Sequence, residues 1–347
     1  MGGEPKATSE ADQDPLAFYA KKTVEELTQV ENNNVSAEDA ERHTIYSRLV
    51  FAIVADAFNG NKKGPAGTYP GRASQMIEKG RYAGDACGDR YFGHNIACIA
   101  VDGRGEIIDF EFNHNELYNS STEHAEARLV RRIFNLNQNY DHWQTIDTSE
   151  IKEVPYGTLL SAVTLYTSLE SCAQCSGVMT LANLKAVIYL QGDPGQYRIG
   201  NIMYNLSNSL AVSHPHTHGG STGKPATKYW APEPVSADLF GFAHKATLEA
   251  DYVRFVAEKD KVPFYVQPDG TPVPSDSITS FLCTDAAKSI FAAGADELES
   301  MVLSFPDYTP ARPAAVRQAL TNAEVLDQAR RYRIYVRKVG RRGTTHK

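Results

Sequence analysis

The sequence predicts an α/β protein in which a β-sheet lies between layers of helices. Two apolar or alternating runs, at 95–101 and 107–112, flank the turn sequence DGRGE and predict a β-hairpin. Two further strand-like runs, at 162–169 and 186–190, have a helical segment between them. Strands that alternate with helices are typical of a sheet covered by helices.

The first part of the chain, residues 1–58, is predicted to be a polar N-terminus followed by helices. Residues 1–14 lack the basic and apolar regions of a signal peptide. Residues 15–31 have apolar positions at helical spacing, and Ser36 is suited to cap a second helix with acidic residues in its first turn. The second half of that helix is apolar on most faces and is therefore expected to be buried.

The residues that suggest chemistry lie between 121 and 189. His124 and Glu126 stand two positions apart, and Cys172 and Cys175 stand three apart. One imidazole and two thiolates are a ligand set suited to zinc, and three protein ligands leave the fourth tetrahedral position open, as in catalytic zinc sites. Because Glu126 is not needed as a ligand, it is a candidate proton carrier beside the metal.

Both halves of this motif are predicted to lie at the start of a helix. Residues i and i+2 do not face each other on a regular helix, so Glu126 reaches a metal on His124 only where the chain enters the helix. Residues 120–122 are capping types. Cys172 and Cys175 are about one turn apart after a strand-like run, and a helix N-terminus favours thiolates.

These residues resemble the zinc-dependent cytidine deaminase superfamily, whose signature is H-x-E followed by P-C-x-x-C. The match is HAE at 124–126 and ESCAQC at 170–175. The run TLYTSLESCAQC, Asn113 and the later run YLQGDPGQYRIGNIMYNLS are similar to the branch of tRNA adenosine deaminases, guanine deaminases and yeast-type cytosine deaminases. The resemblance covers roughly residues 92–207.

The resemblance implies a three-layer α-β-α deaminase sandwich with a mixed sheet, which we assign to residues 59–207. It implies that Zn2+ held by His124, Cys172 and Cys175 activates a water. Glu126 would take the proton of that water and pass it to a ring nitrogen and then to the leaving ammonia. Since resembling families commonly complete their pockets across a subunit interface, a homodimer is also expected.

Three residues near the motif are expected to contact the substrate: Asn113, the backbone N–H of Ala125 and the carbonyl near Ser171. An amide can both donate to and accept from a base edge, and the alternative role for Asn113 is to stabilise its own loop. Ser171 replaces the proline that the family signature has before its first cysteine. Its hydroxyl is suited to cap the following helix.

Residues 208–234 are predicted to form a loop, rich in His, Pro and Gly, that is suited to cover the pocket as a lid. His214, His216 and His218 alternate, so their side chains would share one face of an extended chain. They could hold a second metal, be solvated, or face the substrate together with Trp230.

Residues 235–347 are predicted to be a mainly helical elaboration, packed on the core or on a second subunit. One helix is expected from Ser236, another from Ser275 and a third after two prolines. In the basic tail, Tyr332, Ile334 and Val336 occupy alternating positions among basic residues, which predicts a strand with one charged face. Its charges would be solvated on a sheet edge or would contact phosphate or RNA.

Composition limits the classes of partner and compartment. The formal net charge of −7 has the wrong sign for extensive phosphate contact, so a small aminated heterocycle is favoured over nucleic acid. The chain has no long apolar run and is not expected in a membrane. Five cysteines, two of them in the metal-like pair, argue against a disulfide framework and favour the cytoplasm.

Three rival interpretations of the function remain open. The first is a nucleic-acid deaminase, which the charge disfavours. The second is a structural zinc module without turnover, which would more naturally use four protein ligands. The third is a nucleotide-pathway deaminase domain fused to a partner domain.

Overall fold

The computed structural model of the chain describes residues 21–31, 34–58, 93–115, 118, 120–139, 157, 159–213, 231–266, 269–311 and 318–340. The α-helices in these ranges are α1 (Val24–Thr28), α2 (Ala37–Asp56), α3 (Ala125–Asn139), α4 (Ala173–Leu181), α5 (Ile199–Ser213), α6 (Ala243–Ala257), α7 (Ile278–Phe281), α8 (Asp285–Ser300) and α9 (Asn322–Val339). The strands are β1 (Ala97–Val101), β2 (Ile107–Phe112), β3 (Thr164–Thr167), β4 (Ala186–Tyr189), β5 (Glu233–Ser236), β6 (Tyr265–Val266) and β7 (Pro272–Val273). No helix within these ranges is long and apolar enough to cross a membrane.

Five strands form one mixed sheet in the order β2-β1-β3-β4-β5. Strand β1 is antiparallel to both β2 and β3, and Cys98 lies opposite Glu111 on one side and Thr167 on the other. Strands β3, β4 and β5 are parallel. The predicted hairpin and mixed sheet are confirmed. Strands β6 and β7 form a separate small hairpin.

Helices cover both faces of this sheet, as two neighbouring residues of β3 show. The Tyr166 ring packs against Tyr46 of α2, with ring centroids 4.9 Å apart. The next residue, Thr167, donates its hydroxyl to Glu126 of α3 on the opposite face, because successive side chains of a strand alternate. Helices α8 and α9 pack on α2 outside the sandwich. The three-layer α-β-α arrangement is confirmed.

Helix α2 is the buried helix that the sequence predicted. Ser36 caps it by accepting a hydrogen bond from the Asp39 N–H at 3.1 Å. In its second half, Leu49 to Val54 are fully buried. The helix predicted over 15–31 is described only as the short α1, capped by Thr23.

A helix was predicted to begin at Ser236, and this starting point is wrong, because α6 begins at Ala243. Residues 233–236 form β5, and Ser236 then caps a short 3-10 helix, Ala237–Phe240. That 3-10 helix ends at Gly241, whose φ of 68° lies in the left-handed region that favours glycine. Strand β5 has four residues and includes a proline, which is tolerated at a sheet edge but hides the strand in the sequence.

The helix predicted from Ser275 is interrupted. After the short α7 the chain turns, and Thr284 starts α8 by accepting a hydrogen bond from the Ala287 N–H. The sequence pattern missed this internal N-cap because the segments on both sides of it are apolar.

The strand predicted in the basic tail is wrong, because residues 322–339 form helix α9. A capping box between Thr321 and Glu324 begins the helix. Its buried positions recur at helical spacing, and they are Val325, Leu326, Ala329, Arg333 and Val336. The alternation over 332–337 is a local coincidence within this longer 3.6-residue period.

Candidate metal centre

The His124–Glu126 pair lies where the chain enters helix α3, as predicted. The Asn113 side-chain oxygen accepts a hydrogen bond from the Ala125 N–H at 2.7 Å. The His124 carbonyl accepts the Arg128 N–H at 3.0 Å, which closes the first helical bond. The end of β2 therefore holds the start of α3 in place.

The two cysteines lie on the first turn of α4, with Cys172 as its N-cap residue. His124 Nδ1 is 3.3 Å from Cys172 Sγ and 3.7 Å from Cys175 Sγ. Tetrahedral zinc with ordinary bond lengths would place its nitrogen and sulfur ligands about 3.6 Å apart. All three ligand atoms lie within 4.8 Å of one another, and the described residues contain no other such group. Their chemistry and spacing fit Zn2+.

The charges of these groups are arranged for a cation. The hydrogen bond from the Cys175 thiol, assisted by His124, lowers the pKa of Cys172 to about 4. The same hydrogen bond raises the pKa of Cys175 well above its ordinary value. The hydrogen bond to Cys172 raises the pKa of His124. The sulfur pair thus carries one thiolate and shares one proton, which a divalent metal would displace.

The Glu126 carboxyl is buried beside the ligand set, at 4% exposure. Its Oε1 accepts hydrogen bonds from Ser171 at 3.1 Å and from Thr167 at 3.3 Å. Its Oε2 lies 3.5 Å from Cys175 Sγ. Burial raises the pKa of Glu126. Two hydroxyls therefore orient the carboxyl, and the second oxygen faces the metal ligands.

Ser171 does not have the capping role that the sequence suggested. The N-cap residue of α4 is Cys172, whose side chain makes no capping hydrogen bond, while the Ser171 hydroxyl is used on Glu126. A proline at this position would have no hydroxyl to give. The difference from the family signature thus adds a hydrogen bond to the candidate proton carrier.

The expected substrate contacts divide into described and undescribed residues. Asn113 is buried, and the structure shows its loop-stabilising role, since it is bonded to Ala125. Substrate contact by Asn113, Ala125 and Ser171 stays a prediction. The other candidates lie outside the described residues: His214, His216, His218 and Trp230.

A charged cluster that the sequence analysis missed joins α3 to β2. Arg132 donates to Asp109 at 2.8 Å, and Arg128 donates to Glu111 at 3.3 Å. Burial opposes ionisation of Glu111, but Arg128 and Arg132 hold its pKa below the ordinary value. The sequence did contain a signal for this cluster, namely Asp109 and Glu111 in the strand-like run IIDFEF. Carboxylates on a buried strand require positively charged partners.

Comparison with known families supports the same chemistry. Residues 73–191 match the cytidine and deoxycytidylate deaminase zinc-binding region. The tRNA-specific adenosine deaminases of Streptococcus pyogenes serotypes M18 and M1 are each 31% identical over 94 residues, 27% of this chain. The match spans 47% and 44% of those two proteins, so the chain covers about half the length of these curated relatives.

Solved structures of deaminases are also similar, with low TM-scores. A guanine deaminase from Bacillus subtilis has 25% identity over 34% of this chain and 55% of its own, with a TM-score of 0.22. A guanine deaminase from Nitrosomonas europaea has 14% identity over 49% of this chain and 80% of its own, with a TM-score of 0.23. A structure from a study of tRNA:A34 deaminases has 18% identity over 48% of this chain and 90% of its own, with a TM-score of 0.24.

The sandwich and the His-Cys-Cys set beside a buried glutamate define an α/β domain with a candidate zinc site. Over residues 73–191, this domain is similar to the zinc-binding region of cytidine and deoxycytidylate deaminases.

Proposed function

We propose that the protein is a zinc-dependent deaminase that hydrolyses the bond between a ring carbon of a small heterocycle and its exocyclic amino group. Water supplies the oxygen that replaces the amine, and ammonia leaves. One observation carries the proposal: a buried carboxyl, Glu126, stands beside a complete set of three zinc ligands without belonging to it.

His124, Cys172 and Cys175 would hold the zinc. When bound, the metal would supply the Lewis acidity that makes water a nucleophile at neutral pH. Two thiolate ligands would offset the charge of the metal and weaken this effect, so a separate base is needed.

Glu126 is that base, and its hydrogen bonds suggest which oxygen carries the proton. Ser171 and Thr167 hold Oε1, whereas Oε2 faces the sulfur ligands. We infer that Oε2 takes one proton from the attacking water and gives it to the ring nitrogen. Oε2 then takes the second proton from the hydroxyl newly attached to the ring carbon and gives it to the departing amine, so that a carbonyl forms as ammonia leaves. The raised pKa of the buried carboxyl favours a group that holds a proton between these transfers.

The net charge of −7 supports a small substrate, such as an aminated base, nucleoside or related metabolite. A tRNA-type substrate is the second candidate, because the relatives from Streptococcus pyogenes are tRNA-specific adenosine deaminases. We further propose that the protein acts in the cytoplasm as a homodimer.

A substrate screen tests the function. Zinc-loaded protein is incubated with aminated bases, nucleosides, nucleotides and unmodified tRNA, and ammonia or inosine formation is measured. We expect turnover of one small-molecule class, with tRNA unchanged. Turnover of tRNA alone would support the second candidate, and no turnover of any substrate would support a structural zinc module.

A further inference from the structure

A large cleft lies at the carboxyl edge of β4 and β5. It has a volume of about 910 Å3, within the usual range for small-molecule sites. One wall comes from the family-matched core and includes Glu170, Tyr189 and Gln191. The opposite walls come from α1, α5 and α6, which lie outside the family match. The lining includes neither the zinc ligands nor Glu126.

The walls of this cleft contain three buried oxygens that have no hydrogen-bond partner among the described residues: Glu170 Oε1, Gln191 Oε1 and Asn201 Oδ1. Gln191 is 1% exposed and Asn201 is 6% exposed. Leaving a buried acceptor unpaired costs on the order of 1–3 kcal/mol, so three around one cleft are unusual.

The orientation of the three side chains is fixed, because the second polar atom of each one makes a hydrogen bond. Glu170 Oε2 accepts the Asp193 N–H at 3.0 Å. The amide nitrogens of Gln191 and Asn201 donate to the carbonyls of Gly192 and Thr28. A carbonyl only accepts, so neither amide can be reversed without losing its bond. What remains on each side chain is an acceptor, and such a wall selects a ligand with N–H or O–H donors.

Charge narrows the class of ligand. Lys245 is already paired with Asp238, at 2.7 Å, and with Glu249. The other charged residues of the described lining are three carboxylates and one guanidinium, namely Glu25, Glu170, Asp193 and Arg198. The lining also includes three tyrosines, whose ring faces attract cations: Tyr189, Tyr197 and Tyr252. The excess of carboxylates over basic groups, together with the tyrosine rings, favours a cation over a neutral molecule.

We propose that this cleft is a binding site, separate from the zinc centre, for a small organic amine such as an aliphatic diamine. Its ammonium donors would pair with the unsatisfied oxygens, and its charge would complement the surplus carboxylates. This proposal does not depend on the proposed deaminase activity.

Gly192 allows the cleft to be filled selectively. A Cβ atom at this position would lie 3.4 Å from Glu249 Oε1 and 3.7 Å from Glu170 Oε2, which is ordinary contact between the two carboxylates. A larger side chain in Gly192→Leu would therefore extend into the cleft without backbone strain. Gly157→Leu is the matched control, because a Cβ atom at Gly157 would meet no described residue within 4 Å and the Gly157 carbonyl accepts a hydrogen bond from Asn183, near the opposite edge of the sheet.

The experiment is calorimetric titration of zinc-loaded protein with putrescine, with tetramethylammonium as a cation without N–H donors and with ribose as a neutral molecule with donors. We expect putrescine to bind at least tenfold more tightly than either comparison ligand. Gly192→Leu should weaken putrescine binding at least tenfold, while Gly157→Leu should stay within twofold of wild type.

A second variant covers the case in which Gly192→Leu does not fold, as judged by circular dichroism. Glu25→Gln, on the exposed side of α1, should weaken putrescine binding severalfold through charge alone. The proposal is overturned if putrescine does not bind at millimolar concentration or if ribose binds more tightly. It is also overturned if binding is unchanged in the folded variants, or if binding is lost in the zinc-ligand variant Cys175→Ser, which would place the amine at the metal.

Discussion

At the scale of single residues, the position of Glu126 separates an enzyme from a structural zinc module. The Glu126→Gln variant keeps the size of the side chain and its bonds to Ser171 and Thr167, but an amide cannot carry the proton. We expect zinc content and melting temperature close to wild type. Ammonia release should fall by about a hundred- to ten-thousand-fold.

The measurement is ammonia release with the best substrate of the screen, alongside metal analysis of the same sample. Turnover near the wild-type rate would contradict the assigned mechanism, whereas loss of zinc would show that Glu126 supports the metal site instead.

The ligand assignment is tested by a pair of cysteine variants. Cys175→Ser removes one of two sulfur ligands, so the protein should lose most of its zinc from a starting content near one per chain. Cys283→Ser is the control, because Cys283 is also buried but its thiol bonds to the Thr279 carbonyl. Full zinc retention in Cys175→Ser, measured by atomic emission after dialysis, would argue against the site.

The ligand set and the base were predictable from sequence because metal chemistry restricts both residue type and spacing. The hydroxyls that orient Glu126 were not predictable. Thr167 and Ser171 reach the carboxyl only because the end of β3 lies beside the first turn of α3, and no local pattern records that contact. The unpaired oxygens of Gln191 and Asn201 likewise become visible only in three dimensions.

At the scale of secondary-structure elements, one carboxylate joins α2 to α9. Asp56 accepts hydrogen bonds from Arg333 at 2.7 Å and from Arg337 at 2.8 Å. We expect Asp56→Asn to lower the free energy of unfolding at neutral pH by about 2 kcal/mol, because Arg333 and Arg337 lose their shared carboxylate while Arg333 keeps its bonds to Glu299 and the Ala295 carbonyl. Asp327→Asn is the control, since its pair with Arg331 is exposed and contributes about 0.5 kcal/mol or less.

The effect of Asp56 on stability should depend on pH. Burial raises its pKa, but the two arginines outweigh burial and hold the pKa below its ordinary value. A carboxyl whose pKa is lowered by folding stabilises the protein above its unfolded pKa, about 3.9. Denaturant unfolding should therefore show the wild type and Asp56→Asn converging as pH falls below about 4. A difference that grows on acidification would contradict the ion pair.

The elements themselves were predictable to different degrees. Helix α2 and the β1–β2 hairpin have strong local signals, in the Ser36 cap and the DGRGE turn. The short β5 has none, because its strand character depends on pairing with β4. In the tail, the alternate positions of Tyr332, Ile334 and Val336 favoured a strand. The segment is a helix because its buried positions recur at a 3.6-residue period over the longer range 322–339.

At the scale of the whole molecule, the proposed homodimer is a separate prediction. It is motivated by the family resemblance, in which pockets are commonly completed across an interface. Sedimentation equilibrium at micromolar concentration should give twice the chain mass of 38.2 kDa. A single monomeric species over that range would count against the homodimer.

The contacts of α2 have a consequence for how the chain folds during synthesis. In α2, Arg42 donates to the Leu320 carbonyl and to Asn322, and Asp56 accepts from Arg333. These partners of α2 are synthesised about 280 residues later. At 5–20 residues per second, α2 would leave the ribosome roughly 15–60 seconds before α9 exists to cover its α9-facing side. During that interval this side of α2 is uncovered, and the yield of the protein in cells should depend on chaperones more than its final stability suggests.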